Sequence, residues 1–332
     1  MNDLPVVRLM MGSGSLQSQG AHRLDLLRYA TQYSGRPRLS GEELLAALPE
    51  IARFARVEVD EGNLYPHVTP DDLVRLARVV EARLQRPEVA GVVWTQGTNA
   101  VEETAYFLNL TVHSDKPVVV TGAQRPITAF GADGPLNLLN AVRVAAAPEA
   151  RGKGVLVVAN DEINAARDVT KTSTYRLHTY RSRDLGVLGY ADLDRVVFYR
   201  APTRRHTVAS EFDLHGIESL PRVDVIYVHA GARPDVVRAM AGLGAPGLVI
   251  AGTGPGALGE LRAELGALAR EGVVIVRSAR VGEGRVVRED NWQEPGMVAA
   301  DTLSPQKAAL LLALALTRTR DPDAIQRLFD EY

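Results

Sequence analysis

Short valine-rich runs, each bounded by turn residues and spaced by helix-like stretches, limit this chain's fold more than any other feature. Val92-Val93-Trp94-Thr95, Val118-Val119-Val120-Thr121 and Val155-Leu156-Val157-Val158 lie in the first half. Val225-Ile226-Tyr227-Val228, Leu248-Val249-Ile250 and Val273-Val274-Ile275-Val276 lie in the second. A strand with one face in water alternates apolar and polar residues, whereas a continuous apolar run fits a strand of a parallel sheet covered on both faces. Between the runs, Asp71 to Arg86 sets Leu73, Val74, Ala77, Val80 and Leu84 on one helical stripe behind a Thr69-Pro70 start. Leu136 to Ala147 and Glu260 to Arg270 repeat that pattern. Alternation of this kind predicts an α/β fold with ligand sites beyond the carboxyl ends of strands.

A single core becomes awkward at 332 residues, so two domains are expected. The polar stretch from Ala201 to Pro221 interrupts the alternation, which restarts at Val223. The expected division is a larger N-terminal α/β domain over 1–205, a linker over 206–221 and a smaller C-terminal α/β domain over 222–332.

Composition removes several function classes. With 38 basic and 40 acidic residues, the chain lacks the broad basic footprint of a nucleic-acid or anionic-membrane binder, so neither partner is expected. The absence of cysteine excludes disulfides, thiolate ligands and a cysteine nucleophile. The seven histidines (22, 67, 113, 178, 206, 215 and 229) show no ligand spacing, and no metal site is expected. Gly252-Thr253-Gly254-Pro255-Gly256 resembles a dinucleotide turn, but Ala257 stands where the third glycine belongs, so a structural turn is the expectation. Met1 to Met11 has no basic start followed by a long apolar stretch, and Ala308 to Thr317 is about half the ~20 residues of a bilayer span. A cytoplasmic location is expected.

Three segments carry polar chemistry at strand ends. Gly12-Ser13-Gly14-Ser15-Leu16 follows an opening strand; it is either a flexible turn or a loop that brings hydroxyls to a ligand. Thr95-Gln96-Gly97-Thr98-Asn99-Ala100 ends the next strand and leads into a helix. Thr98 is there either an N-cap or a site residue, while Glu102 and Glu103 complement the helix dipole without needing a catalytic role. Asn160-Asp161 and Arg167-Asp168-Val169-Thr170-Lys171-Thr172 follow a third strand. Lys171 is either a base, if burial disfavours its charge, or one half of a surface ion pair.

Taken in order, several long motifs resemble the bacterial L-asparaginase family of the threonine-dependent asparaginase/glutaminase type. They are Thr98 with Glu102-Glu103-Thr104-Ala105-Tyr106-Phe107-Leu108, Lys116 to Pro126, Ala132-Asp133-Gly134-Pro135-Leu136-Asn137-Leu138, Arg167 to Thr172, and Thr302 to Ala308. The resemblance runs essentially end to end. It implies two α/β domains with a mainly parallel sheet in the larger, and a homotetramer built as a dimer of dimers with sites at subunit boundaries. It also implies hydrolysis of a small-molecule amide through a hydroxyl and an acyl-enzyme, without metal or cofactor. The catalytic residues implied are Ser15, in place of the family's first threonine, Thr98, Lys171 and a flap tyrosine. Tyr33 is the first candidate for that tyrosine and Tyr29 the second. Gln96, Gly97, Asn99, Asp60, Gly62 and Asn63 are the implied substrate-binding positions.

Departures from the family motifs are concentrated in its first and second signatures. The first becomes Gly12-Ser13-Gly14-Ser15-Leu16, and Ser13, in place of a glycine, is expected to crowd the backbone. In the second, the aspartate that meets the substrate's α-ammonium in the family becomes Asn99, which accepts a hydrogen bond but carries no charge. The family's serine-bearing carboxylate turn is replaced by a region with Asp60 and Glu61, whose charges are expected to repel a substrate carboxylate. The main expectation is thus an amidohydrolase moved away from free L-asparagine. An ordinary L-asparaginase/glutaminase and a non-catalytic binding protein on the same fold are the alternatives.

Overall fold

In the computed structural model, which describes residues 4–60, 69–288 and 296–332, five of the six valine-rich runs form inner strands of two sheets, and the run at Val225 forms a partly exposed edge strand. The chain divides into two compact units, Met1–Leu214 and His215–Tyr332. In the first unit the strands are β1 (Val6–Met11), β2 (Arg56–Asp60), β3 (Val89–Thr95), β4 (Val118–Thr121), β5 (Val155–Ala159), β6 (Glu162–Ala165), β7 (Thr170–Lys171), β8 (Tyr180–Arg181), β9 (Gly189–Ala191) and β10 (Val196–Phe198). Eight of them make one sheet in the order β10-β9-β6-β5-β4-β3-β1-β2, while β7 and β8 pair as a separate ribbon.

Strands β1 to β5 are parallel, and β6, β9 and β10 run antiparallel, so the sheet is mixed. The reversal occurs at Asn160-Asp161, where both residues have positive φ (51° and 66°). Two consecutive left-handed residues make the tight turn that matches the twist of a hairpin, and Asn and Asp tolerate it better than most side chains. The pair expected to open a chemical segment is therefore a hairpin turn. Its side chains are engaged there: Asn160 donates to the Leu177 carbonyl (2.6 Å), and Asp161 accepts from Asn140 (2.8 Å).

The core confirms burial on both faces. Leu9, Val93, Val119 and Leu156 lie in a buried cluster with Leu138, Ala141, Val142 and Ala145 of the helix Gly134–Ala146. On the other side of the sheet Val92, Trp94, Val118, Val120 and Val157 are also fully buried. Each such side chain contributes about 1.5–3 kcal/mol by leaving water. The helix Pro70–Leu84 buries Leu73, Val74, Ala77, Val80 and Leu84, the stripe expected from the sequence, and opens with a capping box between Thr69 and Asp72.

In the second unit, β11 (Val223–Tyr227), β12 (Gly247–Gly252), β13 (Val274–Ala279) and β14 (Met297–Ala299) form a parallel sheet in sequence order. Ile226, Leu248, Ile250 and Ile275 pack there with Val237, Leu265 and Leu268 of flanking helices. The apolar stretch near the carboxyl end is the buried helix Pro305–Ala315. No helix among the described residues is long and apolar enough to cross a membrane.

Candidate active site

Strand order fixes where a site belongs. β1 and β3 are neighbours, yet the chain leaves β1 toward β2 on one side and β3 toward β4 on the other. Outside the carboxyl ends of two such strands, the diverging connections leave a crevice. The loops carrying Ser15 and Thr98 start there, and two main-chain bonds tie them together: Gly12 N–H to Thr95 O (2.8 Å) and Gly97 N–H to Ser13 O (2.7 Å). The approach is close enough to require glycine. A Cβ on Gly12 would lie 2.5 Å from the Thr95 carbonyl oxygen, and one on Gly14 would lie 2.6 Å from the Gly97 nitrogen. The expected crowding at Ser13 is not seen, because the tight positions are the two retained glycines and Ser13 is half-exposed.

Ser15 opens a short 3-10 turn, Ser15–Gln17, and is buried. Its hydroxyl is 3.0 Å from that of Tyr29. The tyrosine beside Ser15 is thus Tyr29 rather than Tyr33, whose side chain is 66% exposed in the short helix Thr31–Ser34. The four-residue spacing carries the two rings to different surroundings.

Thr98 begins a 3-10 turn that runs directly into the helix Val101–Thr111. Gly97 occupies the cap position, and no side-chain cap bond forms, so the N-cap alternative falls away. The Thr98 hydroxyl instead accepts a hydrogen bond from Lys171 Nζ at 2.6 Å and donates to Gln124 Oε1 at 3.0 Å. Its carbonyl is held by the Tyr180 hydroxyl at 3.1 Å. Lys171 comes from the ribbon, opposite Tyr180, and its Nζ also donates to Gln124 Oε1 (3.1 Å). Its main-chain N–H donates to Glu102 Oε1 (3.3 Å). Lys171 is half-buried, and burial pushes its amine below the ordinary lysine range, so the surface ion-pair alternative does not hold. Burial also holds the Tyr180 phenol well above its ordinary range, which leaves it a donor and not a base.

Three participants are invisible to spacing rules. Gln124 sits in the turn after β4, and its amide reaches both Thr98 and Lys171. Glu102 is buried, with one carboxylate oxygen on the Lys171 main chain, so its role exceeds that of a dipole complement. Tyr180 fixes the Thr98 main chain. Asp133 supports the same place by accepting from the main-chain N–H groups of Gln124 (2.8 Å) and Arg125 (3.0 Å).

The other expected positions behave differently. Asn99 is exposed in the isolated chain. The Gln96 side chain, just past β3, is buried and accepts from Trp94 Nε1 at 2.6 Å. Gly97 serves through its N–H to Ser13. Asp60, at the end of β2, accepts from Arg8 (Nε at 3.2 Å and Nη2) and from Arg83 Nε (2.9 Å). Two guanidinium groups compensate its charge, so the expected repulsion of a substrate carboxylate is not supported at Asp60. Gly62, Asn63 and Glu61 lie outside the described residues. No group of three His, Asp or Glu side chains is placed to hold a metal ion among the described residues.

A threonine hydroxyl against a half-buried lysine amine, with a second hydroxyl in an adjoining loop of a doubly wound α/β fold, is an arrangement able to activate a hydroxyl, and the family matches make the chain a hydrolase of the amidohydrolase class. The chain belongs to the asparaginase/glutaminase family. Residues 26–204 match the asparaginase N-terminal domain, and residues 222–329 match the glutaminase/asparaginase C-terminal domain. The first of these matches begins beyond Gly12 to Leu16. The chain is 42% identical to L-asparaginase 2 of Bacillus subtilis over 99% of its own length and 87% of that protein's. It is 39% identical to the glutaminase-asparaginase of Acinetobacter glutaminasificans, over 98% and 99%. The crystal structure of a probable cytoplasmic L-asparaginase from Campylobacter jejuni superposes with a TM-score of 0.91 at 35% identity, covering 99% of this chain and all of that one.

Proposed function

We propose that the chain hydrolyses the amide of a small molecule, releasing ammonia, with a preference displaced from free L-asparagine. The observation that carries this reading is a complete Thr98–Lys171 pair beside a neutral, exposed Asn99. As a free amine, Lys171 takes the Thr98 proton across a 2.6 Å hydrogen bond, the geometry required of a base serving a hydroxyl. Ser15, paired with Tyr29, supplies the second hydroxyl. The acyl group passes through one of these two oxygens before water releases it, and peptide mapping of a trapped adduct distinguishes them.

Asn99 weakens only one part of substrate reading. Asn99 can still accept from an α-ammonium, but without a carboxylate's charge the contact loses about 0.5–1.4 kcal/mol at an exposed position, so the hold falls about 2- to 10-fold. Ammonia release across L-asparagine, L-glutamine, simple amides and lactams tests the reading. It predicts turnover of amides lacking the α-ammonium at rates comparable with L-asparagine. A micromolar Michaelis constant for L-asparagine would overturn it.

An ordinary L-asparaginase/glutaminase is the second reading. It is favoured by the compensated charge of Asp60, which removes one ground for a shifted preference, and by the names of the relatives. Under either reading we expect a homotetramer assembled as a dimer of dimers and a cytoplasmic location.

A further inference from the structure

Among the described residues, Gln124 is the one side chain hydrogen-bonded to both Thr98 and Lys171 and to a separate loop. Its Oε1 receives Lys171 Nζ (3.1 Å) and the Thr98 hydroxyl (3.0 Å). Its Nε2 faces three main-chain carbonyls, of Ser173 (3.4 Å), Thr174 (3.4 Å) and Arg176 (3.1 Å). This surrounding fixes which end of the amide is which. Carbonyls require a donor, so the nitrogen must face the loop and the oxygen must face the amine. The residue beside Thr98, Asn99, makes no hydrogen bond to Lys171 Nζ. The acceptor instead arrives from the turn after β4, held in place by Asp133 at the Gln124 and Arg125 main chain.

We propose that Gln124 is a positioning residue for the hydrolytic reaction: its neutral amide oxygen keeps the Lys171 amine on the Thr98 hydroxyl, and its amide nitrogen locks that pair to the 173–176 loop. The inference rests on the Thr98–Lys171 reading above and deepens it. The hydrogen-bond arithmetic explains why an amide suits the task. With Lys171 as ammonium, its N–H groups reach Thr98 and Gln124, and the threonine hydrogen points to Gln124. With Lys171 as amine, it keeps one N–H on Gln124 and turns its lone pair to Thr98, whose hydrogen swings across. The Gln124 oxygen accepts from Lys171 in both states, so that bond persists as the lysine gains or loses a proton, while the Thr98 hydrogen exchanges Gln124 for Lys171. A carboxylate in its place would hold the ammonium form and oppose the base. The other ionisable groups packed here act elsewhere. Glu102 bonds the Lys171 main chain, Tyr180 the Thr98 carbonyl and Asp133 the Gln124 main chain.

The test uses the full chain and needs no substrate for its first readout. Only Lys116, Lys153, Lys171 and Lys307 occur in the sequence, so Cε-labelled lysine gives four NMR signals, with Lys171→Arg assigning the one of interest. In Gln124→Glu, the midpoint of Lys171 titration is expected to rise by about one pH unit or more, as for an opposite charge brought within contact. In Gln124→Met, which removes the acceptor without charge, it is expected to fall. Where the parent releases ammonia, the acidic limb of its kcat profile moves the same way in each variant. Gln124→Met is also expected to lose at least about tenfold in kcat, with KM within about threefold, since the interaction acts on the base and not on ground-state binding. An unchanged Lys171 midpoint in both folded variants overturns the proposal. If Gln124→Glu does not fold, Gln124→Met decides alone. A parent chain inactive on every amide, with Lys171 still titrating as expected, would overturn the amidase reading and leave the Gln124 geometry standing.

Discussion

Asn99→Asp replaces one side-chain nitrogen by oxygen and adds one negative charge next to Thr98. The side chain is exposed, so folding stability should change by no more than about 0.5 kcal/mol. Its effect on catalysis follows from what a substrate α-ammonium gains. Exchanging a neutral acceptor for a charged one adds about 0.5–2 kcal/mol, or roughly 2- to 30-fold. Solvent at an exposed position favours the lower part of that range, about 2- to 10-fold. The expected result is a rise of that size in kcat/KM for L-asparagine, with no rise for the same amide lacking the α-amino group. A coupled ammonia assay on both compounds reads it, at a pH above the acidic limb so that any effect of the new charge on Lys171 drops out. An equal gain on the two compounds would place the charge's action on the catalytic pair. No gain on either would refute the role given to Asn99.

Four further expectations use separate measurements. Tyr29→Phe should lower kcat by about 10²-fold, the low end for a lost proton-handling contact, while Tyr33→Phe leaves it within twofold; steady-state kinetics with the opposite order would return the role to Tyr33. Asp60→Asn should cost about 1–2 kcal/mol by urea denaturation, because Arg8 and Arg83 lose a charged partner while Glu58 still pairs with Arg8, and KM should stay within about twofold; a large KM change with unchanged stability would make Asp60 a substrate residue after all. Activity should rise with pH through the lowered Lys171 value, since the amine is the working form, and a pH–rate profile that falls over that range would contradict the base assignment. His206 is held below its ordinary range by burial, so the unfolded chain binds more protons between that lowered value and about 6.5, and stability rises with pH there. His206→Gln should flatten the Tm profile across that interval, and an unchanged slope would assign the acid sensitivity to other groups.

Much of the fold was legible because continuous valine runs and one-sided helical stripes have few structural meanings. Val118 to Thr121 and the Leu73–Leu84 stripe form the elements their patterns imply. The antiparallel part of the large sheet was not legible, since Asn160-Asp161 is a weaker hairpin signal than a glycine-containing pair, and only the observed φ values expose the reversal. In the site, Ser15, Thr98 and Lys171 stand out as hydroxyls and an amine at strand or ribbon ends. Gln124 does not, because nothing in its turn marks an amide that reaches residues 26 and 47 positions away. Glu102 is masked by its own plausibility, since any acid in a first helical turn satisfies the dipole. At Asp60 a sequence displays the charge but not the arginines packed across from it, on β1 and on the helix that follows β2.

The central claim is that an intact Thr98–Lys171 pair works beside a weakened ammonium reader. The most direct measurement is the ratio of kcat/KM for L-asparagine to that for its analogue lacking the α-amino group, on the unmodified chain. With an uncharged, exposed Asn99 the ratio is expected to be no greater than about ten, the scale of one solvent-exposed hydrogen bond to an ammonium. A ratio of about a thousand or more would contradict the displaced preference and make the chain an ordinary L-asparaginase.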